Sequence, residues 1–135
     1  MSDRVDIGDV TRGSGLPTST LHVWERAGLL DPIGRDGLRR QYDAEVFQRL
    51  ATIVLLQRGG FTLEEIRELL EPDPTGASRQ RFAAKLEELQ ERRRHLDAAI
   101  DGIEHALACT EPVPTACPAF LAMLDGVLPV DRGST

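Results

Sequence analysis

IGDVTRGSGLPTSTLHVWERAGLL, residues 7–30, is the stretch that decides the fold. Apolar residues at helical spacing precede the interruption Gly13-Ser14-Gly15, and a second helical run extends from Pro17 or Thr18 to Gly28. Proline or a hydroxyl residue favours the start of a helix, and glycine favours its end. Two helices joined by a short glycine turn predict a helix-turn-helix unit, whose second helix can enter the major groove of DNA.

A small hairpin or a loop is predicted next, followed by a third helix. Residues 31–41 have no apolar period and contain the turn dipeptide Asp36-Gly37. Asp43 is the expected cap of a helix with apolar residues at helical spacing, which the pair Gly59-Gly60 must stop.

A fourth, short helix completes the predicted head. Thr62-Leu63-Glu64-Glu65 reads as a capping box, in which the first and last residues satisfy each other's backbone amides. Pro72 and Pro74 then break the chain. We therefore expect residues 1–71 to form one head domain and residues 72–77 to form a linker.

The segment 78–108 predicts one long helix with a heptad seam. Its apolar residues alternate steps of four and three, and a helix over this range would be roughly 46 Å long at about 1.5 Å per residue. A head of this size is too small to bury such a stripe. A second copy of the chain is therefore expected to cover it, in parallel or antiparallel pairing. Arg93 is expected to pack its stem there and extend its guanidinium to solvent or a partner glutamate. The predicted dimer interface comprises Phe82, Leu86, Leu89, Arg93, Leu96, Ile100, Ile103 and Leu107.

The composition is that of a globular protein, with 41% hydrophobic and 28% charged residues. Nothing approaches the roughly 18 consecutive apolar residues of a membrane span, and residues 1–6 lack an apolar signal segment. We expect a cytoplasmic protein without membrane contact. The net charge is −6, yet residues 12–58 carry seven arginines against five acidic residues, so most of the acidic excess lies elsewhere.

Five segments, in order and spacing, resemble the MerR family of bacterial transcription regulators. They are IGDV (7–10), GL (15–16), TLHVWERAGLL (20–30), RRQY (39–42) and GFTLEEI (60–66). The family usually has Arg-Tyr-Tyr-Glu where this chain has residues 22–25, and commonly an aromatic residue before the wing arginine, where Leu38 or Arg39 stands. These departures bear on which DNA sequence is read.

Pattern and resemblance together predict an all-α protein with a winged helix-turn-helix head, a small β-hairpin wing and a long dimerisation helix. The resemblance implies an antiparallel coiled coil and two heads on successive major grooves. It also implies a promoter with an overlong spacer, which the activated dimer bends and untwists. The expected partners are double-stranded promoter DNA, a second copy of the chain and RNA polymerase, and the protein is not expected to be an enzyme.

The resemblance also supplies candidate DNA contacts, each with a plainer alternative. The hydroxyls and imidazole near the start of the recognition helix either reach DNA or serve as cap and solvated surface. The wing arginines either neutralise phosphates or form a solvated pair. The tryptophan either touches the DNA backbone or lies in the core, and the tyrosine either contacts phosphate or wedges the wing onto the head. The set is Thr18, Ser19, His22, Trp24, Arg39, Arg40 and Tyr42.

Residues 109–135 are expected to form an effector loop, a short helix and a tail. Copper- and zinc-responsive members of the family have two cysteines arranged as Cys109 and Cys117 are. Thiolates suit Cu(I) or Zn(II). Zinc-responsive members of the family add a cysteine at the start of the long helix, which this chain lacks, so the resemblance favours the monovalent ion. The alternative for either cysteine is a small buried apolar residue. His95 and His105 are expected on the helix surface.

Other effectors and other classes of protein stay open. The cysteines also suit a redox signal, and the same fold could take an organic ligand. An architectural DNA-binding protein without effector would need neither the long heptad helix nor the distal thiols. A thiol-metal carrier or redox enzyme is disfavoured because the chain has no Cys-x-x-Cys pair and no glycine-rich phosphate loop.

Overall fold

The computed structural model describes residues 3–128, which form two compact units that divide after Ala83. The elements are β1 (Arg4–Asp6), α1 (Ile7–Ser14), α2 (Thr18–Arg26), β2 (Gly34–Asp36), β3 (Arg39–Asp43), α3 (Val46–Arg58), α4 (Leu63–Leu69), α5 (Ala77–Ala108), a 3-10 turn (Pro114–Ala116) and α6 (Pro118–Met123). Winged head and long helix are both present, which confirms the predicted fold class. None of the described helices combines the length and apolar character needed to cross a membrane.

The helix-turn-helix forms where the sequence predicts it. The Asp6 carboxylate caps α1 by accepting the Asp9 amide at 2.8 Å. Gly15 ends this helix with φ 73°, a left-handed conformation that glycine adopts without a Cβ clash. After Pro17, α2 begins at Thr18, and Gly28, with φ 81°, turns the chain away from its end.

The wing is one strand larger than predicted. β2 and β3 form the expected antiparallel hairpin, with Gly37 in its turn at φ 64°. β1 pairs with the other edge of β3, so the sheet order is β1-β3-β2. A strand of three residues directly before a helix cap shows too little alternation to be recognised from sequence.

The predicted cap of the third helix was wrong. Asp43 ends β3, and its carboxylate accepts the Glu45 amide at 2.9 Å in a tight turn. The helix therefore starts at Val46, with Glu45 as an N-cap that makes no side-chain bond. The capping box of α4 is confirmed: Thr62 Oγ1 accepts the Glu65 amide at 3.2 Å, and Glu65 Oε1 accepts the Thr62 amide at 3.0 Å.

One hydrophobic core holds the head together. It gathers side chains from α1, α2, β3, α3, α4 and the intervening turns, so the recognition helix and the wing share their packing. Its buried members are Val10, Leu21, Trp24, Leu29, Leu30, Tyr42, Val46, Leu50, Ile53, Phe61 and Ile66.

α5 has no buried residue, although it is 32 residues long. Most of the apolar residues of its predicted seam are exposed, from Phe82 at 42% to Leu107 at 83%, while Leu89 is half-buried. Arg93, within the seam, is exposed as well. At the start of the helix, Phe82 meets Phe61 edge to face, with ring centroids 5.9 Å apart. The seam is thus an apolar stripe open to solvent in the single chain.

Candidate functional site

The first candidate site is a groove between the start of α2 and the wing. It has a volume of about 340 Å³ and is lined by Ile7, Thr18, His22, Arg35, Leu38 and Arg40. Thr18 and Ser19 are exposed at the first turn of α2, and His22 is half-buried one turn later. The fold therefore brings three of the residues predicted to contact DNA into one concave surface, with Ser19 exposed beside Thr18.

Trp24 and Tyr42 lie beneath this surface rather than on it. They are 4% and 1% exposed, which favours the core alternative for Trp24 and the wedge alternative for Tyr42. Among residues 3–128, no hydrogen-bond partner for the buried Tyr42 hydroxyl is found. Desolvation raises the pKa of Tyr42, the Glu25 carboxylate adds to this effect, and the Arg40 guanidinium opposes it.

Both predicted wing arginines are held by carboxylates. Arg40 forms an ion pair with Glu25 of α2, and both side chains are largely shielded from solvent. Arg39 Nη1 lies 3.0 Å from Asp6 Oδ2, in a more open setting. The pKa of Asp6 is lowered, chiefly by the Asp9 amide and further by Arg39. The ion pairs hold Arg40 against α2 and Arg39 against the end of β1, and an incoming phosphate would have to compete with them.

Arg35 was missed by the sequence analysis, which named only Arg39 and Arg40 in the wing. It is exposed in the groove and makes no ion pair with any residue of the described chain. In the antiparallel register it stands directly opposite Arg40. The predicted hairpin could have revealed Arg35, because residues paired across two strands project from the same face.

The second candidate site lies where α5 ends and α6 begins. Cys109 follows the last residue of α5, and its amide donates to the His105 carbonyl at 2.8 Å. Cys117 is the residue before α6 and is buried, while Cys109 and His105 are half-buried. His105 Nε2 lies 3.1 Å from Cys117 Sγ, and the three donor atoms lie within 4.8 Å of one another.

Hydrogen bonds favour the thiolate form of Cys117. The imidazole of His105 contributes most, followed by the Phe120 amide, and together with smaller effects they lower the pKa of Cys117 to about 7. The thiolate is the form of cysteine that binds soft and borderline metal ions. The cluster of His105, Cys109 and Cys117 has the chemistry of a metal site or of a reactive thiol pair.

His105 corrects the sequence analysis. We expected it on the helix surface, but it is half-buried and contacts the Cys117 thiol and, at a centroid distance of 6.3 Å, the Phe120 ring. The sequence could have shown this, because His105 precedes Cys109 by four residues and this spacing places both on one helical face. His95 itself is exposed and lies 3.1 Å from Glu91.

A helix-turn-helix whose second helix shares a core with a short antiparallel wing defines a winged helix-turn-helix protein. Residues 5–72 match the family model described as "MerR HTH family regulatory protein", and residues 47–106 match the one described as "MerR, DNA binding". The chain belongs to the MerR family, as the resemblance of its motifs predicted. This is a family of transcription regulators and not of enzymes.

Relatives agree with this assignment. The transcriptional regulator HmrR of Rhizobium leguminosarum bv. viciae is 30% identical over 128 residues, which cover 90% of this chain and 99% of HmrR. The regulator CueR of Yersinia pestis is 29% identical over 113 residues, 82% of this chain and 81% of CueR. The nodulation protein NolA of Bradyrhizobium elkanii is 42% identical over 66 residues, 48% of this chain and 30% of NolA. The matched part of the chain thus spans less than a third of NolA.

Proposed function

We propose that this protein is a transcription regulator that binds promoter DNA as a homodimer and deforms it in response to a thiophilic metal ion. One observation carries the effector part of the proposal. Cys109 and Cys117 lie close to His105, and the donor atoms of the three side chains are within 4.8 Å of one another. Two sulfurs and one imidazole nitrogen this close together form a donor set that suits a thiophilic metal ion.

The DNA interface of the proposal is the groove between α2 and the wing. Thr18, Ser19 and His22 would reach base edges or phosphates from the first turns of α2. The wing arginines would bind phosphates, and each neutralised phosphate releases counterions. Trp24 and Tyr42, buried beneath, would support the interface by holding α2 and β3 in one core.

The homodimer is supported by the apolar stripe of α5. Leu86, Leu96 and Ile103 are all at least half exposed, and burying such a stripe against a second copy removes its apolar surface from water. In an antiparallel pair each stripe would cover the other. A fixed dimer would present two heads to successive major grooves.

The effector would act through DNA deformation. Bending or untwisting a site of 20–30 base pairs takes on the order of 1–6 kcal/mol. A metal ion that changes the relative pose of the two heads in the dimer would change which promoter conformation is favoured. RNA polymerase would then respond to the altered promoter, with Cu(I) or Zn(II) as the candidate ions.

Fluorescence anisotropy tests the proposal, with labelled DNA from upstream of the protein's own gene. We expect salt-sensitive, sequence-selective binding with and without Cu(I) or Zn(II). We also expect ion uptake, measured under a competing chelator, and an ion-dependent change in DNA bending measured by energy transfer between the DNA ends. The variant with both Cys109→Ser and Cys117→Ser should still bind DNA but lose the ion and the bending response.

Two results would contradict the proposal. DNA binding that ignores sequence and salt would remove the regulator part. Equal ion uptake by the wild type and the double variant would remove the cysteine metal site.

A redox response is the second candidate, favoured by the lowered pKa of Cys117 and the nearness of Cys109. Hydrogen peroxide would take one hydrogen from each thiol, joining the two sulfurs and yielding two waters. Mass spectrometry of peroxide-treated protein, with the bending assay repeated on the product, separates this response from the metal response. A disulfide that leaves bending unchanged would contradict it.

A further inference from the structure

The imidazole of His105 lies close to both thiols. His105 lies in the last turns of α5, one helical turn before Cys109, and the turn that follows returns Cys117 to it. One nitrogen and two sulfurs therefore lie within 4.8 Å of one another. Resting on the proposed metal response, the choice of ion at this site depends on all three donors.

The spacing of the donors matches ligands of one small ion. Bonds of about 2.1 Å to nitrogen and 2.3 Å to sulfur in a tetrahedron place the two donors about 3.6 Å apart. His105 Nε2 and Cys117 Sγ are 3.1 Å apart, and no pair among the three donors exceeds 4.8 Å. Small side-chain rotations would suffice to seat an ion between them.

We propose that His105 is the third ligand of this site, and that the resulting set of one nitrogen and two thiolates takes a divalent borderline ion such as Zn(II). Two thiolates alone suit linear Cu(I), whereas Zn(II) asks for further donors, and imidazole is among those it favours. The fourth position would be left to solvent or to a donor from the second copy. The expectation of a monovalent ion rested on the absence of a third cysteine, and His105 supplies that third donor.

The setting of His105 supports a ligand role. The helix fixes its backbone, and the Phe120 ring, tilted by 30° at 6.3 Å, restricts the imidazole from one side. An orienting contact of this kind lowers the entropy lost when the ring binds an ion. His95, on the same helix, is exposed and lies beside Glu91, so it provides a matched control.

The test compares His105→Leu with His95→Leu in the full-length protein. Leucine keeps apolar packing near Phe120 but has no donor atom. We expect His105→Leu to weaken Zn(II) binding, measured by chelator competition, by about tenfold or more, and Cu(I) binding by only about threefold. Bound Co(II), used as a spectroscopic probe, should keep its thiolate charge-transfer bands while its visible ligand-field bands change. His95→Leu should match the wild type in every measurement.

A second variant distinguishes the loss of a ligand from misfolding. His105→Cys places a thiolate donor at the same position and should recover Zn(II) binding, with helicity by circular dichroism as the check on folding. Equal Zn(II) affinity in wild type and His105→Leu would overturn the third-ligand inference while leaving the metal response intact. Failure of the wild type to bind Cu(I), Zn(II) or Co(II) would overturn both proposals.

Discussion

Arg35 and Arg40 face each other across the wing hairpin, a pairing that is unfavourable without an anion. Like charges at directly opposed positions of an antiparallel pair repel. Glu25 compensates Arg40, but no ion pair of Arg35 is found within the described part of the chain. A DNA phosphate in the groove would give Arg35 the counter-charge that Glu25 gives Arg40. We therefore expect Arg35 to be the wing cation most available to DNA.

We expect Arg35→Ala to weaken DNA binding by a similar factor on specific and unrelated sequences. It should also reduce the slope of log affinity against log salt by about 1, because one phosphate contact is lost. Anisotropy titrations over a range of salt concentrations measure both effects. Arg94→Ala removes the same charge from α5, where Arg94 pairs with Glu91, and should leave the slope unchanged. An unchanged slope in Arg35→Ala would remove Arg35 from the interface.

Residue roles were predictable where local chemistry decides them and not where tertiary contacts do. The Thr62 and Glu65 box was predictable because its bonds lie within four residues. The contact between His105 and Cys117 spans twelve residues and depends on how the turn after α5 folds back. The burial of Trp24 was one of two alternatives that only the assembled core could separate.

At the scale of elements, the capping box of α4 gives a measurable prediction. Thr62→Ala should lower the free energy of unfolding by about 1 kcal/mol, because the Glu65 amide loses its acceptor. Urea denaturation followed by circular dichroism measures this. Thr52→Ala is the control, since Thr52 only donates to the Gln48 carbonyl within α3, and it should change stability by less than about 0.5 kcal/mol. Equal losses would contradict the capping argument.

The sequence predicts the helices well, predicts their ends less well and does not predict β1. Apolar periodicity and glycine stops placed α1 to α4 closely, and α5 starts at Ala77, one residue before the predicted segment. β1 was missed because its pairing partner β3 lies more than thirty residues away, so no local pattern reveals the ladder. The start of α3 was misplaced because Asp43 serves a turn instead of a helix.

At the scale of the whole molecule, the stripe of α5 predicts that dimerisation and DNA binding fail together. Leu96→Asp places a charge in the stripe and should give monomers at micromolar concentration by sedimentation velocity, because an unpaired carboxylate is costly to bury. Binding to the full promoter site should fall in parallel. Ala84→Asp, on an exposed position off the stripe, should stay dimeric. A wild type that sediments as a monomer would contradict the homodimer.

The placement of the three donors has a topological consequence. His105 and Cys109 lie on one side of the turn, and Cys117 lies on the other, so residues 110–116 form the only covalent bridge between the two sides. An ion bound by all three donors would cross-link the two sides. Cleavage by a protease within residues 110–116 would release the carboxyl-terminal fragment from the metal-free protein. In the metal-bound protein the ion would hold the two fragments together until a chelator removed it.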